Sequence, residues 1–313
     1  MGERTPRPRT TNLAMTATAL PRLPPDRLRE LASAYDGAMR AKRARTLLFV
    51  ALTLAFAVLA GWVVDIDLPR FFTHLGSFFS YFDRILTLDG GASAGQRVWT
   101  DPAEWFWGLR KWTLLLADTL LIAYLGTLMG AVAGFLLCFA ATANLMPNLW
   151  IRGGVRRFLE FCRTVPEIVF ALIFVIAFGL GPMPGVLAIA IHTAGALGKL
   201  FSEVVENIDP KPVEGVRAAG ASWPQVVRFA AVPQVLSNLA SYALLRFEIN
   251  VRGASVMGFV GAVGIGQDLI EAIRKFYYAD VSAILLLIVL TVMGIDLATE
   301  RLRHALLGRE ERA

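Results

Sequence analysis

The chain has 313 residues, 56% hydrophobic and only 18% charged, with a mean hydropathy of +0.55, against about 45–50% apolar and about 25% charged in soluble domains. Twenty-seven glycines and fifteen prolines without a short period exclude a collagen-like chain, and two cysteines exclude a disulfide scaffold. The formal charge of +6 gathers ahead of an apolar run, which reads as a membrane-topology signal and not as a nucleic-acid surface.

In chain order, residues 1–45 form a basic N-terminal segment with ten Lys/Arg, and Arg40, Lys42, Arg43 and Arg45 abut the first apolar run. Residues 1–25 read as disordered, and Leu28, Leu31, Tyr35 and Met39 mark a short amphipathic helix. Six segments approach the roughly 20 apolar residues that cross a bilayer core of about 30 Å. They are Thr46–Val64, Trp112–Ala143, Phe158–Leu180, Val186–Val205, Leu236–Val260 and Val281–Leu297. The first starts too deep in the chain for a cleaved signal, so it is expected to be retained.

Within 65–111, Phe71, Phe72, Leu75, Phe78, Phe79, Phe82, Ile85 and Leu86 recur at helical spacing. They predict a helix lying in the headgroup plane or one packed on the spans. Trp99, Trp105, Trp107 and Trp112 predict an interfacial aromatic belt. With the N-terminus inside, inner segments hold twenty Lys/Arg and outer segments seven, so both termini are expected in the cytoplasm. Gly126, Gly130 and Gly134 recur every four residues, the spacing that lets helices approach closely in lipid. Cys138 and Cys162, beside apolar runs, read as small hydrophobes.

Two glycine clusters imitate nucleotide sites without meeting their requirements. Gly195-Ala196-Leu197-Gly198-Lys199-Leu200 has Thr193 where a phosphate loop needs its first glycine, and Leu200 where it needs Ser or Thr. Gly258, Gly261, Gly264 and Gly266 miss the dinucleotide spacing and follow a span, not a strand. His74, His192 and His304 are too far apart in sequence to suggest a metal set. The energy for any transport is therefore expected from a partner or a gradient.

The most informative stretch lies in the loop 206–235. Glu214 to Ala219 reads as a short helix ending at Gly220, a residue suited to the left-handed turn after a helix. Ser222 can cap a second helix with Trp223 and Pro224 in its first turn, and Pro233 marks the join to the next span. Glu214, Gly220 and Pro233 resemble, in register, the EAA loop of permease subunits of bacterial ATP-binding-cassette importers; Gly215 and Val216 replace the alanines that usually follow the Glu. Further stretches resemble phosphonate importer permeases: Arg163-Thr164-Val165-Pro166-Glu167, Gly179-Leu180-Gly181-Pro182, Ile191 to Lys199 and Leu245 to Ser255.

The resemblance implies an all-α integral membrane protein of six transmembrane helices. A type I importer core of five helices would occupy 112–300, with an added helix at 46–64, an outer loop at 65–111 and a tail at 301–313. It implies a transport subunit of the bacterial cytoplasmic (inner) membrane and not an enzyme. The expected partners are a second copy, two cytoplasmic ATP-binding subunits carrying ATP and Mg, and an extracytoplasmic phosphonate- or phosphate-binding protein; no cofactor and no nucleic acid are expected on this chain. Glu214, Arg217, Ala218, Ala219, Gly220, Ala221, Ser222, Arg228 and Pro233 would couple to the ATPase. The cargo would be phosphonate or a related phosphorus oxyanion. The alternatives are an importer permease of the same class for a different small solute and, after it, a gradient-driven secondary transporter; a lipid-phosphate enzyme lacks a clustered His/Asp/Ser set.

Ionisable groups at bilayer depth cost about 2.5–3.5 kcal/mol each on insertion scales, so they face a bundle interior and pair. Arg246 and Asn250 share one helix face, Glu248 and Arg252 another. Either Glu248 and Arg252 form a packing salt bridge, or Arg246 or Arg252 lines an anion path with Asn250 and Glu248 beside it. His192 and Lys199, two turns apart, are candidates for the same path or for structural roles. Arg163 and Glu167 are expected as an i,i+4 pair or an ATPase contact, and Asp118 and Asp296 as packing partners.

Overall fold

A computed structural model describes residues 24–261 and 263–310, and the basic residues ahead of Pro24 lie outside them. Described residues fall into two compact units, one ending at Leu75 and one beginning at Gly76. All regular structure among them is helical, apart from one isolated bridge between Thr87 and Arg97.

In the first unit, α1 (Pro25–Val63) is one unbroken helix of 39 residues, about 58 Å at 1.5 Å per residue. The expected cytoplasmic helix and the first span are thus a single rod. The chain between Arg40 and Thr46 contains neither Gly nor Pro to interrupt it. The short α2 (Leu68–Thr73) follows, capped by Asp67, whose carboxylate accepts from the Arg70 amide at 2.8 Å. The predicted amphipathic helix is therefore divided at His74, and its second part is α3 (Leu75–Ile85).

The second unit continues through α4 (Pro102–Trp105) and α5 (Leu109–Ala141), α6 (Leu149–Thr164), α7 (Glu167–Phe178) and α8 (Pro182–Glu206). It ends with α9 (Pro210–Ala218), α10 (Trp223–Val226), α11 (Val232–Met257), α12 (Ile265–Arg274) and α13 (Tyr278–Glu310). Helices α1, α5, α8 and α13 each contain a stretch long and apolar enough to cross a membrane, and two bent pairs bring the count to six. The expected third span is one of these pairs, α6 and α7, which meet at 86°. Val165 is extended (φ −74°, ψ 123°) because Pro166 disfavours helical geometry in the residue before it.

Helix α8 is the axis of the unit. Gly126, Gly130 and Gly134 of α5 lie against Ile189, Thr193 and Gly198 in matching order, so the two helices run parallel. A Cβ on Gly130 would stand 2.6 Å from the Thr193 Cβ and 2.7 Å from the Ala190 carbonyl oxygen. On another side, a Cβ on Gly195 would stand 2.6 Å from the Arg163 amide nitrogen of α6. The glycines near 258–266 serve close approach of the same kind. The Gly266 Cα faces the Ser255 carbonyl, and the Ile265 amide, one residue later than Gly264, donates to Thr119 Oγ at 3.0 Å.

Trp112, assigned to an aromatic belt from sequence, is instead 2% exposed. It packs with Leu116, Ile265, Leu269 and Ile284 where α12 folds back on α5 and α13. Trp105 and Trp107 donate to Ser282 Oγ at 3.0 Å and Asp280 Oδ1 at 2.8 Å, clamping the preceding loop onto the start of α13. Asp101 caps α4; the Glu104 amide and the Ser93 hydroxyl hold its carboxyl below the usual carboxylate range. That contribution is present at neutral pH and is lost as pH falls through the lowered value.

Adding a methyl at Gly130 presses on backbone, which cannot yield as a side-chain tip can. Gly130→Ala is expected to destabilise the protein by about 1–3 kcal/mol. Gly215→Ala, where a Cβ meets nothing within 4 Å, should be neutral or stabilising, since Ala favours helix by about 1 kcal/mol. Thermal unfolding of the two purified variants in one detergent checks the contrast.

Candidate functional site

Two constellations follow from this frame, one at the α9–α10 end and one inside the helix bundle. At the first, Asp209 caps α9 through the Lys211 amide at 3.0 Å. The helix stops at Gly220, whose φ of +82° is the left-handed conformation expected from the sequence. The Ser222 amide and hydroxyl both donate to Gln225 Oε1, at 2.7 and 2.9 Å, starting α10 as predicted. A π-helical turn, Val227–Ala231, then leads without a break into α11, which carries Pro233 in its first turn. Proline lacks the amide hydrogen and crowds the carbonyl four residues back, so the wider turn accommodates it.

This two-helix knob is fastened to the rest of the unit. The Trp223 indole donates to the Leu145 carbonyl at 3.1 Å and Arg217 to the Asn144 carbonyl at 2.9 Å. Asn144 in turn donates to the Val205 carbonyl at 2.7 Å. Glu206 at the end of α8 accepts from the Ala143 amide at 2.8 Å and pairs with Arg156 of α6. Beneath lie Leu145, Phe201, Val213, Val226, Ala230 and Val235, all buried. The outer surface exposes Glu214, Arg217, Ala218, Ala219, Gly220, Ser222, Arg228 and Pro233, while Ala221 is half-buried. Sequence reading did not anticipate the fastening residues Asn144, Arg156, Glu206 and Trp223. Of these, the sequence singles out only Trp223, for its place in the first turn of α10, and it stays partly exposed.

Inside the bundle, Asn250 is fully buried. Its amide nitrogen donates to Thr127 of α5 and Thr193 of α8, each at 2.8 Å, so it ties three helices together. Its expected place beside an anion path thus falls inside this knot of three helices. Arg252 lies between Glu248 at 2.6 Å and Asp296 of α13 at 3.0 Å, and Thr299 reaches the other oxygen of Glu248. The packing alternative for Glu248 and Arg252 is thus the one formed, extended to Asp296. Lys199 pairs with Glu203 on its own helix at 3.1 Å.

The expected Arg163–Glu167 pair is not formed, because the bend at Val165–Pro166 turns the two residues onto different helices. Asp118 is exposed and makes no ion pair among the described residues, contrary to its reading as a packing partner. Instead, Glu167 in the first turn of α7 reaches over α11. Its Oε1 is 2.5 Å from the place a Cβ on Gly253 would take. His192 Nδ1 lies 3.1 Å from the Val165 carbonyl. A carbonyl only accepts, so Nδ1 carries the proton and Nε2 is left facing elsewhere. Arg246 is half-buried, and its Nε has no hydrogen-bond partner among the described residues. An imidazole thus meets the break in a span, and a carboxylate begins the helix after it.

The family described as binding-protein-dependent transport system inner membrane component matches residues 126–311. The chain belongs to this family. It is an importer permease of the ATP-binding-cassette class, a membrane transport component. A phosphite transport system permease protein of Stutzerimonas stutzeri is 39% identical over 248 residues, which cover 79% of this chain and 84% of that one. A putative cryptic phosphonate transport system permease protein of Escherichia coli (strain K12) is 51% identical over 117 residues, 37% of this permease and 96% of the relative. Among solved structures, a methionine ABC transporter in an inward-facing conformation superposes with a TM-score of 0.56 at 24% identity. That match covers 66% of this permease and 98% of the other chain, and it shows a shared fold.

Asn250→Ala is expected to lower stability by about 1–3 kcal/mol, because the buried Thr127 and Thr193 hydroxyls lose their common donor. Arg252→Gln leaves two carboxylates facing each other, and Arg252→Gln with Asp296→Asn should recover part of the loss. Unfolding midpoints of the three variants in detergent report both effects.

Proposed function

We propose that this permease moves phosphonate or a related phosphorus oxyanion, phosphite or phosphate, into the cytoplasm by alternating access. It does so as a pair of copies with two ATP-hydrolysing subunits docked on the 206–235 knobs and an extracytoplasmic binding protein delivering cargo. Both termini are on the cytoplasmic side in this reading, as the distribution of Lys and Arg favours. ATP and Mg belong to the docked subunits.

The knob carries the reading. Its exposed rim, Glu214 and Arg217 to Gly220, is held through Arg217 and Trp223 to the α5–α6 loop, which is bonded to the end of α8, itself paired with Arg156 of α6. Through the π turn it is continuous with α11. A push on that rim is therefore delivered to three helices at once. The substrate class is supported by the names of the relatives, which are phosphite and phosphonate permeases, and by the half-buried cation Arg246 on α11. Arg252 and Lys199 are compensated by neighbouring acids, so Arg246 is the residue assigned to the anion.

Ala218→Glu, on the exposed rim, should leave the permease in the membrane at wild-type level. It should cut ATP-driven uptake of labelled methylphosphonate in cells by about tenfold or more. Unchanged uptake would count against docking at this surface. Uptake that excess phosphite or phosphate fails to compete would narrow the cargo to phosphonates.

A further inference from the structure

Helix α12 turns back along α5. The Ile265 amide reaches Thr119, and one turn on Asp268 pairs with Lys111 at 2.5 Å, so the end of α12 stands level with the start of α5. There the helix stops in a hydrogen-bonded turn: the Tyr277 amide donates to the Ala272 carbonyl at 3.0 Å and the Phe276 amide to the Ile273 carbonyl at 3.2 Å. In such a turn the residue after the cap is left-handed, and glycine usually takes the place because a Cβ is disfavoured there. Gly220 does so after α9, with a φ of +82°. After α12 the residue is Phe276, with a φ of +61°, a conformation that bulky side chains rarely adopt. Burial does not offset this strain. Phe276 is 68% exposed, and the ring of Tyr278 lies 6.3 Å away between centres. Tyr277 and Trp107 beside it are exposed as well. The fold therefore gains nothing from an aromatic at 276 that glycine would not give with less strain, which directs attention to function.

Tyr277 and Trp107 both border two clefts. One, of about 490 Å³, is lined by Asp89, Glu104 and Asp280, with no cation among its lining residues. These acids accept from the Ala279 amide, the Ser93 amide and the Trp107 indole, neutral donors that leave the negative charge uncompensated. In the other, of about 190 Å³, Asp268 and Glu271 are set against Lys111 and Lys275. An acidic cleft repels a phosphate headgroup as it repels an oxyanion cargo, and it attracts the Lys and Arg side chains of a protein. Exposed aromatics beside pockets and rimmed by charge are the usual anchors of protein interfaces. We propose that Phe276 and Tyr277 are the anchor by which this permease grips the extracytoplasmic binding protein, whose basic side chains enter the acidic cleft. This rests on the importer reading above, which places the α12–α13 corner outside. The strained ring is buried only when the partner is seated. Docking at the corner then bears on α12 and α13 directly, and on α5 through the Thr119 bond and the Lys111–Asp268 pair.

The test uses the complete complex of permease and ATPase subunits in lipid nanodiscs. The probe is a phosphonate-binding protein from the same organism, loaded with methylphosphonate. Phe276→Gly should raise the unfolding midpoint of the complex, because the strain is relieved, and yet weaken capture of the binding protein about tenfold or more. Phe276→Asn, polar but at ease in the left-handed conformation, should lose affinity likewise, which separates the missing ring from the flexibility of glycine. Glu271→Lys should slow association severalfold and flatten its dependence on salt. A residue needed only for the fold loses function by losing stability, so opposite movement of the two marks a docking anchor. Wild-type affinity in both Phe276 variants, or a lowered midpoint in Phe276→Gly, overturns the proposal. Phe276→Cys can be labelled selectively with a fluorophore, since Cys138 and Cys162 are buried. The label should be open to an aqueous quencher until the binding protein is added. Shielding before that addition assigns position 276 to lipid or to a second copy and also overturns the proposal. A wild-type complex that neither captures the binding protein nor takes up methylphosphonate, phosphite or phosphate in proteoliposomes overturns the importer reading itself, and the proposal with it.

Discussion

The backbone-to-backbone contact of α5 with α8 is the joint on which the rest of the second unit depends. Three glycines on one stripe let the helices approach until Thr127 and Thr193 are both within reach of a single side chain from α11. In lipid, where apolar surfaces gain little from meeting one another, such packing together with interhelical hydrogen bonds holds a bundle together. Once α5, α8 and α11 are fixed by Asn250, the bent segment α6–α7 has a frame to lean on. A break in a span is tolerated only where its freed polar groups are covered by protein. Here the His192 ring covers the Val165 carbonyl. Glycine on α5 thus makes possible the frame against which His192 of α8 meets the break between α6 and α7.

Charge within the bundle is distributed unevenly. Arg252, the most conspicuous cation of α11, is held by two carboxylates, and Lys199 has its own acid one turn on. These side chains contribute to packing and leave little field for an incoming anion. Arg246, half-buried on α11, forms no salt bridge among the described residues. The intramembrane charges thus differ in use: Arg252 and its two acids bind α11 to α13, while Lys199 and Glu203 pair along one helix.

Much of the architecture was legible in the residues themselves. Spans α5, α8 and α13 follow from long apolar runs, and the knob follows from Gly220, Ser222 and Pro233, whose local chemistry admits few alternatives. What eluded the sequence depended on contacts between distant segments. Phe158–Leu180 reads as one apolar span, yet Pro166 splits it; a proline inside such a run marks a bend without giving its angle. Trp112 sits where interfacial tryptophans are common, but α12, whose return depends on the glycines at 258–266, covers it. Arg163 and Glu167 have pairing distance on an unbroken helix, and the bend removes it. The meeting of Glu167 with Gly253, 86 positions apart in the sequence, has no local signature at all.

The π turn before α11 has a geometric consequence. Buried residues Val226, Ala230, Val235 and Leu239 are spaced four, five and four apart, so one surplus residue is taken up between Ala230 and Val235. Each residue of an α-helix advances the azimuth by about 100°. The surplus therefore sets the phase of everything downstream. With it, the stripe that grips Phe201 and Leu197 and the stripe that carries Asn250 both point inward. An α11 lacking that one residue would present its asparagine roughly a quarter-turn away from the two threonines, and its unpaired arginine would be carried round with it.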